Sequence, residues 1–182
     1  FDDLYNSQNI ETIKGKEYDL VVSAANRADM WRINSCPEED LAEIEKFISI
    51  IGEVKINHLV LISTVGVYTQ PLGVDEDTPI DPEELQPYGR HRYLLENYCM
   101  EHFQTTIIRL PGLFGPGLKK NVIYDLLNNN MVDKIHADGV YQYYNLNNIW
   151  GDIQLVIKNK LKLVNFATPP VATSTVAREV FG

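Results

Sequence analysis

Four short apolar runs, set well apart along the chain, constrain its fold more than any other feature. They read 18-YDLVVSAA-25, 58-HLVLIST-64, 105-TTIIRL-110 and 161-LKLVNFA-167. Each is brief, bounded by charge or turn residues and rich in branched side chains, as buried strands are. The first is expected to be buried on both faces. Between the runs stand segments with helical spacing. In 35-SCPEEDLAEIEKFISIIG-52, Leu41, Ile44, Phe47, Ile48 and Ile51 recur at steps of three and four. Ser35 or Cys36 takes the cap position, Pro37 suits the first turn, and Glu38, Glu39 and Asp40 complement the helix dipole. Gly52 suits the stop. Strands alternating with helices imply βα units and a parallel sheet.

The remaining segments follow the same logic. A long loop, 65–87, rich in Pro, Gly and Asp, precedes a helix opening near Tyr88 and carrying Tyr93, Leu94, Leu95, Tyr98 and Phe103. A loop of that length is more often functional than a mere connection. After the turn-rich 111-PGLFGPG-117 come a helix over 119–130, an extended segment over 139–146, and a helix over 147–159 with Asn147 and Asn148 at its cap. A loop over 168–173 leads to a helix start capped by Ser174 or Thr175. The tyrosines 141, 143 and 144 read as a strand with one buried face.

Composition narrows the function classes. The 182 residues suggest one domain with room for a substantial core. A net charge of -9 and the lack of a long basic run argue against sequence-independent binding to a nucleic-acid backbone. No apolar run is long enough for a membrane span, and no signal peptide is expected. Cys36 and Cys99 stand far apart, outside any metal spacing, and read as two reduced, partly buried thiols of a cytoplasmic protein. His58, His91, His102 and His136 form no metal pattern, so no metal site is expected.

Three features occur in order. A strand ends in 62-IST-64 and runs into 65-VGVY-68. Tyr88 opens a helix with Arg92 four residues on. A later strand ends in 109-RLPGLFGPG-117. Together they resemble the extended short-chain dehydrogenase/reductase superfamily, of the NAD-dependent epimerase/dehydratase type, whose patterns are roughly SSxxVYG, YxxxK and RxxxVYGP. The resemblance runs from about Tyr18 to Phe181. It implies an α/β fold: a Rossmann-like parallel sheet with flanking helices, incomplete at the N-terminus, with a small C-terminal substrate-side lobe. The whole of 1–182 is then one such domain, with 1–110 and 161–167 forming the sheet core and 111–160 partly the substrate-side lobe.

The resemblance also implies a chemistry. In this family a tyrosine exchanges a proton with a substrate hydroxyl while a hydride moves to or from the nicotinamide. A cation one helical turn away stabilises the phenolate. A Ser or Thr hydroxyl holds the substrate oxygen. The catalytic positions are then Tyr88, Thr64 and Arg92, with Ser63 a neighbour. Ala24 and Ala25 match the wall under the adenosine and ribose, and Pro111 and Gly112 the segment beside the nicotinamide. Asn6 and Ser7 are further candidates for the adenosine ribose. Arg90 and His91 lie between the dyad positions, and His91 reads as a surface residue.

The sequence departs from the family pattern in three places. Arg92 stands where the family has lysine; it keeps the charge but has no acceptor and does not relay protons as lysine can. Gly112 replaces an asparagine that often meets substrate, and an arginine expected within 141–148 is missing. No glycine-rich turn of the kind that cradles pyrophosphate is present. The first βα unit is therefore expected to lie outside this sequence, and the chain as it stands to bind NAD or NADP weakly or not at all. The open sheet edge predicts a homo-oligomer. Two readings of function remain: an NAD(P)-dependent oxidoreductase or epimerase-like protein acting on a hydroxyl or carbonyl of an unidentified small molecule, or a non-catalytic Rossmann-like relative that binds a ligand or partner. A flavodoxin-like domain is the third, less favoured fold.

Overall fold

A computed structural model describes residues 2–118 and 121–181. The chain divides into two units, one of 1–109 with 161–164, the other of 110–160 with 165–182.

The first unit holds the strands β1 (Glu17–Ser23), β2 (Lys55–Thr64), β3 (Thr105–Leu110) and β7 (Leu163–Asn165), hydrogen-bonded in the order β1-β2-β3-β7. β1 and β2 run parallel, with Ser23 opposite Leu61. Helices α1 (Met30–Ser35) and α2 (Pro37–Ile51) link β1 to β2, and α3 (Pro87–His102) links β2 to β3. This is the Rossmann-like α/β sheet with flanking helices that the sequence implies. Its core joins Ile44 and Ile51 of α2, Leu59 and Leu61 of β2, Leu95 and Cys99 of α3 and Ile107 of β3. Those are the positions at which the apolar periods of helix and strand coincide.

Several expectations need correction. β1 is not buried on both faces: only Ser23 is buried, because β1 stands at the end of the strand order and its first residues, Glu17 and Asp19, are exposed. α1 was not anticipated; it is one short helix with a single buried residue, Ile33, too brief to show a period. Cys36 is exposed, whereas Cys99 is buried, and both are free thiols.

The second unit holds β4 (Gly112–Phe114), α4 (Val122–Asn128), β5 (Val140–Tyr141), β6 (Tyr143–Asn145), α5 (Ile149–Lys158), β8 (Val171–Ala172) and α6 (Thr173–Val176). The helix expected over 119–130 starts later, capped by the Asn121 side chain, which accepts from the Ile123 and Tyr124 amides. Lys119 and Lys120 lie outside the described residues. The extended segment 139–146 is two strands divided at Gln142. β5 pairs antiparallel with β8, and β6 parallel with β4. Two expected caps are corrected. Asn145, not Asn147 or Asn148, supplies the side-chain cap before α5, accepting from Asn147 N at 3.0 Å. α6 begins at Thr173, whose hydroxyl donates to the Gly139 carbonyl at 2.9 Å.

Candidate active site

The carboxyl end of a parallel sheet is where open α/β folds bind ligands, and two of the proposed catalytic residues meet there. β2 ends at Thr64, which caps the 3-10 turn Val65–Val67; its hydroxyl accepts from Gly66 N at 3.0 Å. α3 starts with Pro87 at its first position, and Tyr88 N donates to Asn34 Oδ1 of α1 at 2.9 Å. A Cβ on Gly89 would stand 2.3 Å from the Gly66 carbonyl oxygen. Only glycine lets the helix approach the turn that closely. A Cβ on Gly66 would lie 3.1 Å from Tyr88 Cε1 and 3.3 Å from Thr64 Oγ1. The Tyr88 ring and the Thr64 hydroxyl therefore border one small volume. Tyr88 is 9% exposed, yet its phenolic oxygen has no hydrogen-bond partner among the described residues and is not sealed from solvent.

Ser63 points elsewhere. Its hydroxyl donates at 2.5 Å to Glu96 Oε1, and Glu96 takes Nε and Nη2 of Arg109. Arg109 Nη1 donates to the Tyr68 hydroxyl at 2.7 Å, and that hydroxyl donates to the Asp75 carbonyl at 2.8 Å. This buried chain anchors the loop after β2 to α3 and β3. Arg90 adds a second anchor, donating to the carbonyls of Pro82, Glu83 and Leu85.

Arg92 is 2% exposed, so it is not a solvated surface charge. Its guanidinium carbon lies 4.9 Å from the centre of the Tyr88 ring. Nη1 and Nη2 donate to the two oxygens of Asp40 at 2.8 and 2.9 Å, and Nη2 also donates to the Arg27 carbonyl at 2.7 Å. His91 is a correction: it is 6% exposed, and its Nδ1 lies 2.7 Å from Asp40 Oδ2. It leaves the dyad face, but α2 covers the face it turns to. Burial would raise the Asp40 carboxyl; the hydrogen bonds from Arg92 and His91 outweigh that and hold it below the usual range. Asp40 and Glu96 were missed as site residues. The signal for Glu96 was available, since it continues the Tyr88–Arg92 stripe by four residues. Asp40 gave none, because acidic residues in a first turn are ordinary.

The other predicted positions are spread out. Ala24 and Ala25 are exposed just past β1, and the adjacent Ser23 hydroxyl is buried without a partner. An orphaned hydroxyl at this end of the sheet suits a polar ligand. Asn6 uses its Oδ1 on the Gln8 amide, whereas Ser7 is exposed. Pro111 and Gly112 belong to the second unit, where a Cβ on Gly112 would come within 2.8 Å of the Gln142 carbonyl. Also in that unit, an open cleft of about 320 Å³ is lined by Tyr144, Asp152, Phe166 and Thr168 among others. Among the described residues no cluster of three His, Cys, Asp or Glu could hold a metal, and no helix is long and apolar enough to cross a membrane.

A parallel sheet flanked by helices, with Tyr88 and Thr64 at its carboxyl end, defines a Rossmann-like α/β protein. The sequence profile of the NAD dependent epimerase/dehydratase family matches residues 3–152, and the chain belongs to that family. Among solved structures, it is similar to TunA, an NAD-dependent NDP-hexosamine 5,6-dehydratase of tunicamycin biosynthesis, at 18% identity and a TM-score of 0.74, covering 96% of this chain and 61% of that one. A UDP-glucuronic acid 4-epimerase from Bacillus cereus, in complex with NAD, gives 17% identity and a TM-score of 0.71, over 95% of this chain and 61% of that one. A dTDP-glucose 4,6-dehydratase from Streptomyces venezuelae, with NAD bound, gives 14% and 0.72, over 93% and 57%. The chain thus spans 57–61% of the length of these structures. At such identities the likeness shows the fold. No curated protein sequence matches the chain.

Proposed function

We propose that the protein is an NAD-dependent oxidoreductase of the epimerase/dehydratase type, with Tyr88 as acid/base and Thr64 as its partner on a hydroxyl or carbonyl of a small molecule. The observation that carries this is the Tyr88 ring edge and the Thr64 hydroxyl bordering one volume at the carboxyl end of β2, with no partner for the phenolic oxygen among the described residues. Thr64 already accepts from Gly66 N, so its own proton is available to a substrate oxygen. Tyr88 then gives or takes the proton on that oxygen, and the Asn34 bond to its amide fixes the helix start. NAD, when bound, supplies the hydride acceptor. Ala24 and Ala25 would lie along it, and the Ser23 hydroxyl gives that end of the sheet an unspent polar group. Sugar nucleotides are the substrate class to try first, because the similar structures are of enzymes that act on them.

The test is turnover by the full-length protein, given NAD and a panel of sugar nucleotides. Replacing Tyr88 by Phe should lower kcat by about 100-fold or more, the usual weight of a general acid/base. Activity that survives Tyr88→Phe removes the residue from this role.

A second reading, a relative that binds a ligand without turnover, is favoured by the commitment of Arg92 to Asp40. A cation already paired is less free to serve the reaction. Tight NAD binding by calorimetry, with no turnover of any panel member, would select it.

A further inference from the structure

We propose that Asp40 is a positioning residue for the candidate centre, holding the Arg92 guanidinium over the Tyr88 ring. The proposal rests on the reading that Tyr88 is the reacting side chain. Arginine is long and has many rotamers, and i to i+4 spacing alone does not place its plane. Here the plane is determined from one side. The carboxylate of Asp40 takes both terminal nitrogens, a fork that allows a single orientation. The Arg27 carbonyl takes a third donor and fixes the rotation about that fork. The guanidinium carbon then sits over the Tyr88 ring, 4.9 Å from its centre.

The arrangement is buried throughout, with Arg92 at 2% and Asp40 at 5% exposure, so solvent neither screens nor loosens it. Asp40 itself is held on its other side. His91 meets the same Oδ2, which leaves the carboxylate little freedom to swing away. The pair is also electrically matched. A bare cation against the ring would pull strongly on the phenol oxygen, whereas a cation already facing a carboxylate acts as a fixed dipole. Asp40 thereby sets both the place and the field of the charge that replaces the family's lysine. The α2 helix, which carries no residue of the Tyr/Thr pair, thus governs it through Arg92.

The experiment is a double-variant cycle read on the Tyr88 ring by NMR. The full-length protein is labelled with carbon-13 in its tyrosine rings, and the Tyr88 signal is assigned by its loss in Tyr88→Phe. Asp40→Asn should move that signal, and so should Arg92→Met. Asp40→Asn added to Arg92→Met should move it no further, because the aspartate acts through the arginine. An unmoved signal in Asp40→Asn, or an equal movement with and without Arg92, overturns the proposal. Should Asp40→Asn fail to fold, Arg92→Lys decides: it keeps the charge and loses the fork, and the Tyr88 signal must move. If it stays in place, the guanidinium is not against the ring. None of these readings depends on turnover, so a failed activity test of Tyr88 sinks the functional reading alone.

Discussion

Glu96 and Arg109 meet through three short contacts in the core, at 3.1 and 3.2 Å from Nε and 2.6 Å from Nη2, with exposures of 0% and 2%. The Ser63 hydroxyl completes the carboxylate's shell. One ion pair thus ties β3 to α3 and, through Ser63, to the end of β2, the two elements that carry Tyr88 and Thr64.

Removing one partner leaves the other charged and buried. Glu96→Ala should therefore destabilise the protein by about 3–5 kcal/mol. Replacing both, as Glu96→Leu with Arg109→Met, should recover much of that loss. Urea unfolding at unchanged slope gives the comparison; a double variant no more stable than the single would contradict it.

The two glycines Gly89 and Gly151 should respond with opposite signs. Alanine at 89 would put its Cβ 2.3 Å from a backbone oxygen that a side-chain rotation cannot relieve. A loss of about 1–3 kcal/mol is expected, along with weakened turnover, since Tyr88 would shift. Alanine at 151, within α5, meets nothing within 4 Å. There the gain is about 0.4–1 kcal/mol, from reduced freedom of the unfolded chain. Thermal melting of the two variants checks both signs.

The thiols should separate cleanly. Burial, with the Glu96 charge adding to it, pushes the Cys99 thiol up to about 12. An unfolded cysteine ionises near about 8.5. The folded state holds this proton more tightly, so the contribution is complete below that pH and is lost as pH rises toward the folded value. Stability should fall more steeply on the alkaline side in the wild type than in Cys99→Ala. A disulfide reagent should titrate the exposed Cys36 alone in the native protein, and both thiols after unfolding.

Asp40 gives the acid counterpart. Its carboxyl is held below the ordinary value of about 3.9. The stability it contributes is present above that value and is lost as pH falls through the folded one. Acid unfolding followed by circular dichroism should show a shallower acid limb in Asp40→Asn than in the wild type; equal limbs would mean the pair contributes nothing.

The parallel sheet and its helices were legible because their signals are local. The run 58-HLVLIST-64 is apolar at successive positions, and Leu41 to Ile51 repeat at the period of a helix. The pieces that were misread are short or shared. α1 buries one side chain, and 139–146 divides at Gln142 because its two halves find different partner strands. No periodicity within a segment records which strand it will pair with.

At the site the division is similar. The sequence by itself determined that Tyr88 and Arg92 share a helix face and that Thr64 ends a strand, since both follow from spacing along one element. Only the tertiary structure decided what those groups touch. It committed Ser63 to Glu96, buried His91, and turned Arg92 onto Asp40. The physical reason is that a buried charge takes its partner from whatever element packs over it. For Arg92 that element is α2, whose Asp40 lies 52 residues away in the chain.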